Sequence, residues 1–254
     1  MKKPNILPRI ICKTVDNLEL LLSQPDESVD LIYCDILYGT GRNFGDYQDL
    51  KPIRTEIENH YLPRLTEMKR VLKQNGSIYL QMDTRINHWM RILMDDVFGY
   101  ENFRNEISWC YNSGGGARKY FSKKHDIVIF YTKSNDYLFN ADSVRVPYSE
   151  TIDYGISTIN RYNPLGKIPF DYWNINVLGQ NDKTESVDYP TQKPKKLVQR
   201  IILASSNEGD VVADYYLGSG TTAVVCKELN RHFIGCDINP KAIEITNSRL
   251  CAVS

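Results

Sequence analysis

"DVVADYYLGSGTTAVVCKELNRHFIGCD" (210–237) is the stretch that decides the fold. A strand-length apolar run, 210–216, carries an acid near its end and breaks into the turn "LGSG". The pattern then predicts a helix over 221–229 and a second strand over 232–237. Strand, short turn, helix, strand is the repeating unit of a parallel sheet. Glycines in such a turn let the backbone approach a ligand, and the helix N-terminus that follows favours negative charge. No lysine follows the second glycine, so this is not a Walker phosphate loop. Asp237 ends the next strand 23 positions after Asp214. An acid about 20 residues beyond a glycine turn is where a Rossmann-type site hydrogen-bonds a ribose. The pair points to an adenosine-containing cofactor. The plainer alternative is a tight strand–helix turn, with Asp237 capping the helix after it. "LGSGTT" lacks the third glycine of a G-x-G-x-x-G fingerprint, which argues against a nicotinamide-linked oxidoreductase.

Only one strand and one helix (240–251) remain after this turn, so the rest of the sheet must come from the N-terminal half. That half supplies strands "RIICK" (9–13), "VDLIYCD" (29–35), "NGSIYLQMD" (75–83), "NEISWCYN" (105–112) and "DIVIFYTK" (126–133). Helices are predicted over 16–24, 52–72 and 86–98, with Pro63 expected to kink or restart the second. A further helix is expected over 194–206, and Asn239-Pro240 reads as N-cap and first helical residue of the last one. The expected fold is α/β: a doubly wound, mostly parallel, Rossmann-like sheet, circularly permuted so that "RIICK" lies beside "HFIGCD". On that topology Asp16 either reaches the cofactor's adenine or caps the helix at 17–24. Three regions follow: a catalytic half (1–133), a cofactor half of the same domain (191–254), and between them 134–190. There periodicity fades and Tyr, Asn, Gly and Pro dominate.

Composition bounds the rest. The 254 residues include 42% hydrophobic ones, enough for a core, and no run of about 18 apolar residues suited to a membrane span. "MKKPNILPRI" is basic, but its apolar part is too short for a signal peptide. Six cysteines (12, 34, 110, 226, 236, 251) lie without a CxxC pair, mostly in apolar runs. That fits reduced cytoplasmic thiols and gives no reason to expect a metal site. With 31 basic and 31 acidic residues the chain is not coated for non-specific nucleic-acid binding, although local patches can still meet phosphates.

The first strand pair holds a second signal. "VDLIYCD" ends in Asp35 and runs into Ile36-Leu37-Tyr38 and a glycine loop. Acid–x–x–Tyr after one strand, and acid–x–x–x–Gly-Ser-Gly after a later one, resembles the two-part signature of β-class DNA amino-methyltransferases. Longer blocks resemble the same family in order: "DNLELLLSQPDESVDLIYCDILYGTGRNF", "LKQNGSIYLQMD", "SKKHDIVIFYTKS", "YPTQKPKKLVQRIILASS" and "HFIGCDINPKAIEI". The resemblance implies S-adenosyl-L-methionine as cofactor, held by Asp16, Asp35, Lys193, Asp214, Leu217, Gly218, Ser219, Gly220, Thr221 and Asp237. It implies double-stranded DNA as partner and Asp35, Ile36 and Tyr38 as the catalytic set. An acid in first place is closer to the adenine-N6 members than to the cytosine-N4 ones. It also sets 134–190 where the family has its target-recognition region, in a restriction-modification context with a cognate endonuclease. A homodimer is a further expectation, since so short a region would need a second copy or a partner to complete the grip.

Two departures stand out. Asp35-Ile36-Leu37-Tyr38 replaces the family's Asp-Pro-Pro-Tyr, and Asp214-Tyr215-Tyr216 replaces Asp-Pro-Phe. The chemistry explains why the first can be tolerated. An adenine amine is conjugated with its ring, and hydrogen bonds from both its N–H groups favour a pyramidal nitrogen with a usable lone pair. Asp35 supplies one acceptor and the carbonyl of Ile36 or Leu37 the other, and a carbonyl does not depend on residue type. Tyr38 offers a face on which an extruded base can stack. Proline at 36 and 37 is then expected to stiffen the loop and speed the reaction.

"NSGGGARKYFSKKH" (112–125) carries four basic residues, Arg118, Lys119, Lys123 and Lys124, with two aromatics among glycines. Such a loop can follow a phosphate backbone and insert an aromatic, or be a solvated hairpin tip. Trp173, Asn174 and Asn176 read either as base-contacting residues or as a small satellite core around "DYWNI". Rival functions are methylation of cytosine N4 or of RNA adenine, and a DNA-binding module that keeps the fold without turnover.

Overall fold

The computed structural model describes residues 8–43, 48–112, 115–148, 163–179, 184–187 and 189–253. The elements in chain order are β1 (Ile10–Thr14), α1 (Asn17–Leu22), β2 (Val29–Asp35), α2 (Arg54–Val71), β3 (Leu72–Met82), α3 (Asn87–Phe98), β4 (Phe103–Cys110), β5 (His125–Thr132), β6 (Tyr172–Asn174), α4 (Lys195–Ser205), β7 (Val211–Asp214), α5 (Thr221–Glu228), β8 (His232–Asp237) and α6 (Pro240–Ala252). Among the described residues one sheet holds all eight strands, in the order β1-β8-β7-β2-β3-β5-β4-β6.

The permuted closure is present. β1 runs parallel to β8 with Ile10 opposite Phe233 and Thr14 opposite Asp237. β7 lies between β8 and β2, parallel to both. From this middle the chain winds outward both ways, through α5 to β8 and through α2 to β3. β3, β5 and β4 pair antiparallel, so the sheet is mostly but not wholly parallel. Helices cover both faces, as continuous apolar strands such as β2 require. One core packs α1, α2 and α3 through Leu20, Leu21, Ile57, Leu65 and Met90. The other packs α4, α5 and α6 through Leu197, Ile201, Ala223 and Ile243.

Pro63 does not restart the helix: α2 runs unbroken from Arg54 to Val71 around it. Between 134 and 190 the chain adds the edge strand β6, parallel to β4 with Trp173 opposite Trp109. Trp173 is buried and its indole N–H donates to the Phe170 carbonyl at 2.9 Å, while Asn174 and Asn176 alternate outward. Of the two readings of "DYWNI", Trp173 takes the core one. Parts of the expected recognition region, 149–162, 180–183 and 188, lie outside the described residues.

Candidate active site

Three neighbouring parallel strands, β2, β7 and β8, end in Asp35, Asp214 and Asp237 at the same edge of the sheet. The carboxyl edge at the point where winding reverses is where open α/β sheets bind ligands. A cavity of about 580 Å³ opens there, lined by all three acids and by Asp16, Tyr38 and Lys193.

The glycine turn makes one wall of this cavity. Asp214 is buried and spends both oxygens locally: Oδ2 accepts from the Thr222 hydroxyl at 2.6 Å and Oδ1 from the Tyr216 N–H at 3.0 Å. It therefore builds the turn that it precedes. Asp237 accepts from the Gly218 N–H and the Asn239 N–H, both at 2.9 Å. Asp237 does not cap α6, whose N-cap is Asn239, accepting from the Lys241 N–H at 3.0 Å; a carboxylate has about four lone-pair sites, so Asp237 keeps acceptor capacity for a ligand. Gly220 has φ +77° and stands directly against Thr246 of α6, so a Cβ there would collide with that side chain. Its contribution is close helix packing: it is absent from the cavity wall that Leu217, Gly218, Ser219 and Thr221 help to form. Arg249 Nη1 fastens the turn from behind, donating to the Ser219 carbonyl at 2.7 Å and the Thr221 hydroxyl at 3.1 Å. Asp16 takes the capping role, holding the Leu18 N–H at 2.8 Å as N-cap of α1; it also pairs with Arg64 at 3.1 Å and lines the cavity.

A cofactor with an adenosine moiety and a cationic centre fits these groups. The Asn239 side-chain nitrogen is buried without a hydrogen-bond partner and its residue lines the cavity beside Asp237. A spare donor beside a ribose-type acid, and several carboxylates around one cavity, match hydroxyl-rich and cationic ligand parts.

Burial is the main force on Asp214; the Thr222 and Tyr216 hydrogen bonds oppose it, and its carboxyl is pushed up to about 7. The folded chain then holds that proton more tightly than the unfolded chain, so this contribution to stability is lost as pH rises from about 4 to 7. His60, lowered to about 4 by burial first and Arg64 second, runs the opposite way. Asp214→Asn is therefore best compared with wild type at two pH values. Its unfolding free energy relative to wild type is expected to rise by ~2–4 kcal/mol between pH 4 and pH 8, by urea denaturation.

The cavity wall around Asp35 is a tight polar cluster. The Tyr38 hydroxyl oxygen lies 2.8 Å from Asp35 Oδ1 and 2.9 Å from Asp126 Oδ2, and accepts from Gln81 Nε2 at 3.2 Å. Gln81 in turn accepts from the Tyr33 hydroxyl at 2.8 Å, and Asp126 Oδ1 from the Tyr111 hydroxyl at 3.0 Å. Lys193 Nζ pairs with Asp35 Oδ2. Burial raises the Asp35 carboxyl, and the Lys193 ammonium pulls it back.

The loop without prolines is held by other means. The Ile36 N–H donates to the Gln81 carbonyl at 3.0 Å, and its side chain is 3% exposed in the core. The Tyr61 hydroxyl donates to the Leu37 carbonyl at 3.0 Å. Buried Asp49 then gathers the Gly39 N–H at 3.2 Å, the Thr40 N–H at 2.7 Å and the Thr40 hydroxyl at 2.5 Å.

The basic loop springs from this wall, since Tyr111 and Asp126 sit at its two roots. Arg118, Lys119 and Lys123 are exposed and Lys124 is half-buried. Phe121 is 98% exposed at the tip. Ser113 and Gly114 of the same loop lie outside the described residues. Lys195 pairs with Glu228 instead of joining this basic surface.

Sequence reading missed Asp126, Gln81, Asp49 and Arg249. Asp126 opens a strand behind a basic loop and Gln81 sits inside an apolar one; both positions hint at a polar task, but only pairing across the sheet names it. Arg249 carries no local signal. Among the described residues no group of His, Cys, Asp and Glu could hold a metal ion, and no helix is long and apolar enough to cross a membrane.

The sequence profile of the N6_N4_Mtase family, described as DNA methylase, matches residues 29–248. The chain is 36% identical over 246 residues to the Type II methyltransferase M.HpaI of Haemophilus parainfluenzae, covering 95% of this chain and 74% of that protein. It is 34% identical over 248 residues to the DNA adenine methyltransferase YhdJ of Escherichia coli K12, covering 94% and 82%. Among solved structures, the cytosine-N4-specific PvuII DNA methyltransferase superposes with a TM-score of 0.71 at 18% identity, over 96% of this chain and 89% of that one. The M1.HpyAVI–SAM complex does so at 0.63 and 19%, over 95% and 98%. At those identities the superpositions speak for the fold alone. Profile, relatives and the cavity at the sheet's carboxyl edge agree: the chain belongs to the DNA methylase family, the S-adenosyl-L-methionine-dependent amino-methyltransferases of DNA.

Proposed function

We propose that this chain methylates adenine N6 within a short duplex DNA sequence. The observation that carries the reading is the position of Asp35. It stands at the end of β2, beside the cofactor wall, with a backbone carbonyl next in the chain. The relative YhdJ, named as an adenine methyltransferase, supports the same base.

S-adenosyl-L-methionine supplies the electrophilic methyl group when bound. Asp35 accepts one N–H of the target amine and the Ile36 carbonyl the other; Tyr61 already donates to the Leu37 carbonyl, which favours Ile36. Holding nitrogen, methyl donor and lone pair in line is a positioning task, and positioning alone can supply several kcal/mol of the barrier. The Tyr38 ring stacks the extruded base, its hydroxyl fixed by Asp35, Asp126 and Gln81. Asp16, Asp237 and the 217–221 turn hold the adenosine, and Lys193 holds Asp35. Arg118, Lys119, Lys123 and Lys124 track the phosphates. The setting is cytoplasmic, within a restriction-modification pair whose endonuclease reads the same site, and a second copy of the chain completes the grip on DNA.

Tritiated S-adenosyl-L-methionine, mixed-sequence duplex DNA and nucleoside analysis test the base. N6-methyl-2′-deoxyadenosine is expected; N4-methyl-2′-deoxycytidine would move the reading to cytosine, and tight cofactor binding without incorporation into any DNA would make the chain a binding module. For the basic loop, Lys119→Ala with Lys123→Ala should leave cofactor affinity unchanged. The slope of log affinity for duplex DNA against log salt should fall by ~2, the amount expected for two lost phosphate contacts. An unchanged slope would return the loop to a solvated hairpin tip.

A further inference from the structure

Phe121 is 98% exposed, whereas Tyr100, the next most exposed large hydrophobic side chain among the described residues, is 72% exposed. A ring left in water gives the fold nothing, because the free energy of apolar burial is forgone. The loop nevertheless presents it on a defined tip. The Ala117 N–H donates to the Ser122 hydroxyl at 2.9 Å, closing the tip on itself, and Lys124 Nζ donates to the Gly115 carbonyl at 3.2 Å. At the roots the Tyr111 N–H donates to the Lys124 carbonyl at 3.0 Å. The Tyr111 hydroxyl donates to Asp126 Oδ1 at 3.0 Å, and Asp126 Oδ2 lies 2.9 Å from the Tyr38 hydroxyl oxygen. Tyr38 and the loop are thus built on one hydrogen-bonded chain. Arg118, Lys119, Tyr120 and Lys123 are exposed around the ring, and the stretch 112–125 contains no acid.

We propose that Phe121 is a wedge that enters the DNA duplex and fills the gap left by the base that Tyr38 receives. Charge names the partner: an apolar ring set among cations, in a loop without an acid, faces a polyanion. Distance names the place. Phe121 is five positions from Asp126, so it stands at most ~18 Å from the residue that touches Tyr38. A base extruded to Tyr38 stays bonded to its own backbone, so the stack it vacated lies beside the same cavity mouth. Extrusion breaks the pairing and stacking of the target nucleotide. An apolar ring pushed between the flanking bases restores stacking, keeps water out of the gap and opposes the return of the base. The division of labour follows. The basic side chains hold the loop on the phosphates and set affinity, whereas Phe121 sets the fraction of target base that is extruded.

The inference rests on the DNA methylation proposed above and is independent of which base is methylated. Rapid quench of the full chain, with saturating S-adenosyl-L-methionine and a saturating duplex that carries the methylated site, gives the single-turnover rate. Phe121→Ala is expected to slow it about 5- to 100-fold, the range for one lost base–aromatic stack. Phe121→Leu keeps an apolar wedge and should retain about a third of the wild-type rate or more. A second duplex carries an abasic nucleotide opposite the target, which removes the pairing that extrusion must break. There the Phe121→Ala deficit should shrink to less than about threefold. An equal deficit on both duplexes would make Phe121 a surface contact and overturn the proposal, as would a wild-type rate for Phe121→Ala on the paired one. Cofactor affinity, the salt slope of DNA binding and the sedimentation of the free chain should all match wild type. Sedimentation of Phe121→Ala as a smaller species would assign the ring to a contact between copies and overturn the wedge. No methylation of any DNA by wild type would overturn the proposed function and the wedge together, whereas methylation untouched by Phe121→Ala overturns the wedge alone.

Discussion

Asp35→Ala is expected to slow single-turnover methyl transfer at least about a thousandfold while cofactor binding survives. Two losses combine. The target amine loses an acceptor that is charged, a hydrogen bond worth ~1.5–3 kcal/mol. Lys193, only 12% exposed at its side chain and paired with Asp35, is left facing the amine with its charge uncompensated. A partly buried ammonium beside a nitrogen that must become more electron-rich works against the transition state, so a total of ~4 kcal/mol is reasonable, or about three decades in rate. Asp35→Asn should lie between the two, because it keeps an acceptor but not the charge. Rapid quench with saturating cofactor and a duplex carrying the methylated site measures it. Retention of more than a tenth of the wild-type rate by Asp35→Ala would falsify the assignment of the amine to this carboxylate.

Ile36→Pro is expected to destabilise the chain by ~2–4 kcal/mol, and this reverses the expectation drawn from sequence. A proline there has no N–H, so the bond to the Gln81 carbonyl at 3.0 Å is lost and a buried carbonyl is left without that donor. The Ile36 side chain, 3% exposed among α2 and α3 residues, is also removed, at ~1 kcal/mol or more of apolar burial. For a chain of this size such a change corresponds to a fall in Tm of roughly 5–15 °C. Because Gln81 also donates to Tyr38, the rate should drop with the stability. A thermal scan and the same rapid-quench assay check both; a gain in either would show that the loop wants the stiffness of proline after all. Ile36 and Leu37 thus have a physical role as they stand: one plugs the core and docks on β3, the other offers its carbonyl to Tyr61.

Much of the fold could be read before any coordinate, for reasons that lie close together in the chain. "VDLIYCD" and "HFIGCD" are continuous apolar runs of strand length, which a two-sided parallel sheet demands. The "LGSG" turn, Asp214 and Asp237 are separated by one helix and one strand, so their meeting at one edge follows from local geometry. Even the pairing of β1 with β8 followed from counting how few elements remain after the turn. Pro63 does not restart the helix because tertiary packing of Ile57, Tyr61, Leu65 and Met68 outweighs the loss of one helical hydrogen bond.

Sequence by itself therefore determined the architecture, the order of its halves, the glycine turn and the strand-end acids that meet at one edge of the sheet. The reason is that periodicity, turn chemistry and strand-end acids act over a few residues. Only the tertiary structure decided what those groups are bonded to. Asp126 lies 88 positions from Tyr38, and Lys193 lies 158 from Asp35. Arg249 reaches the glycine turn from the last helix. Such contacts are set by which strands become neighbours and in what register, and no local pattern encodes the partner of a side chain across a sheet. The same holds for Ile36: its burial and its bond to Gln81 exist only because β2 and β3 are aligned with Asp35 opposite Gln81.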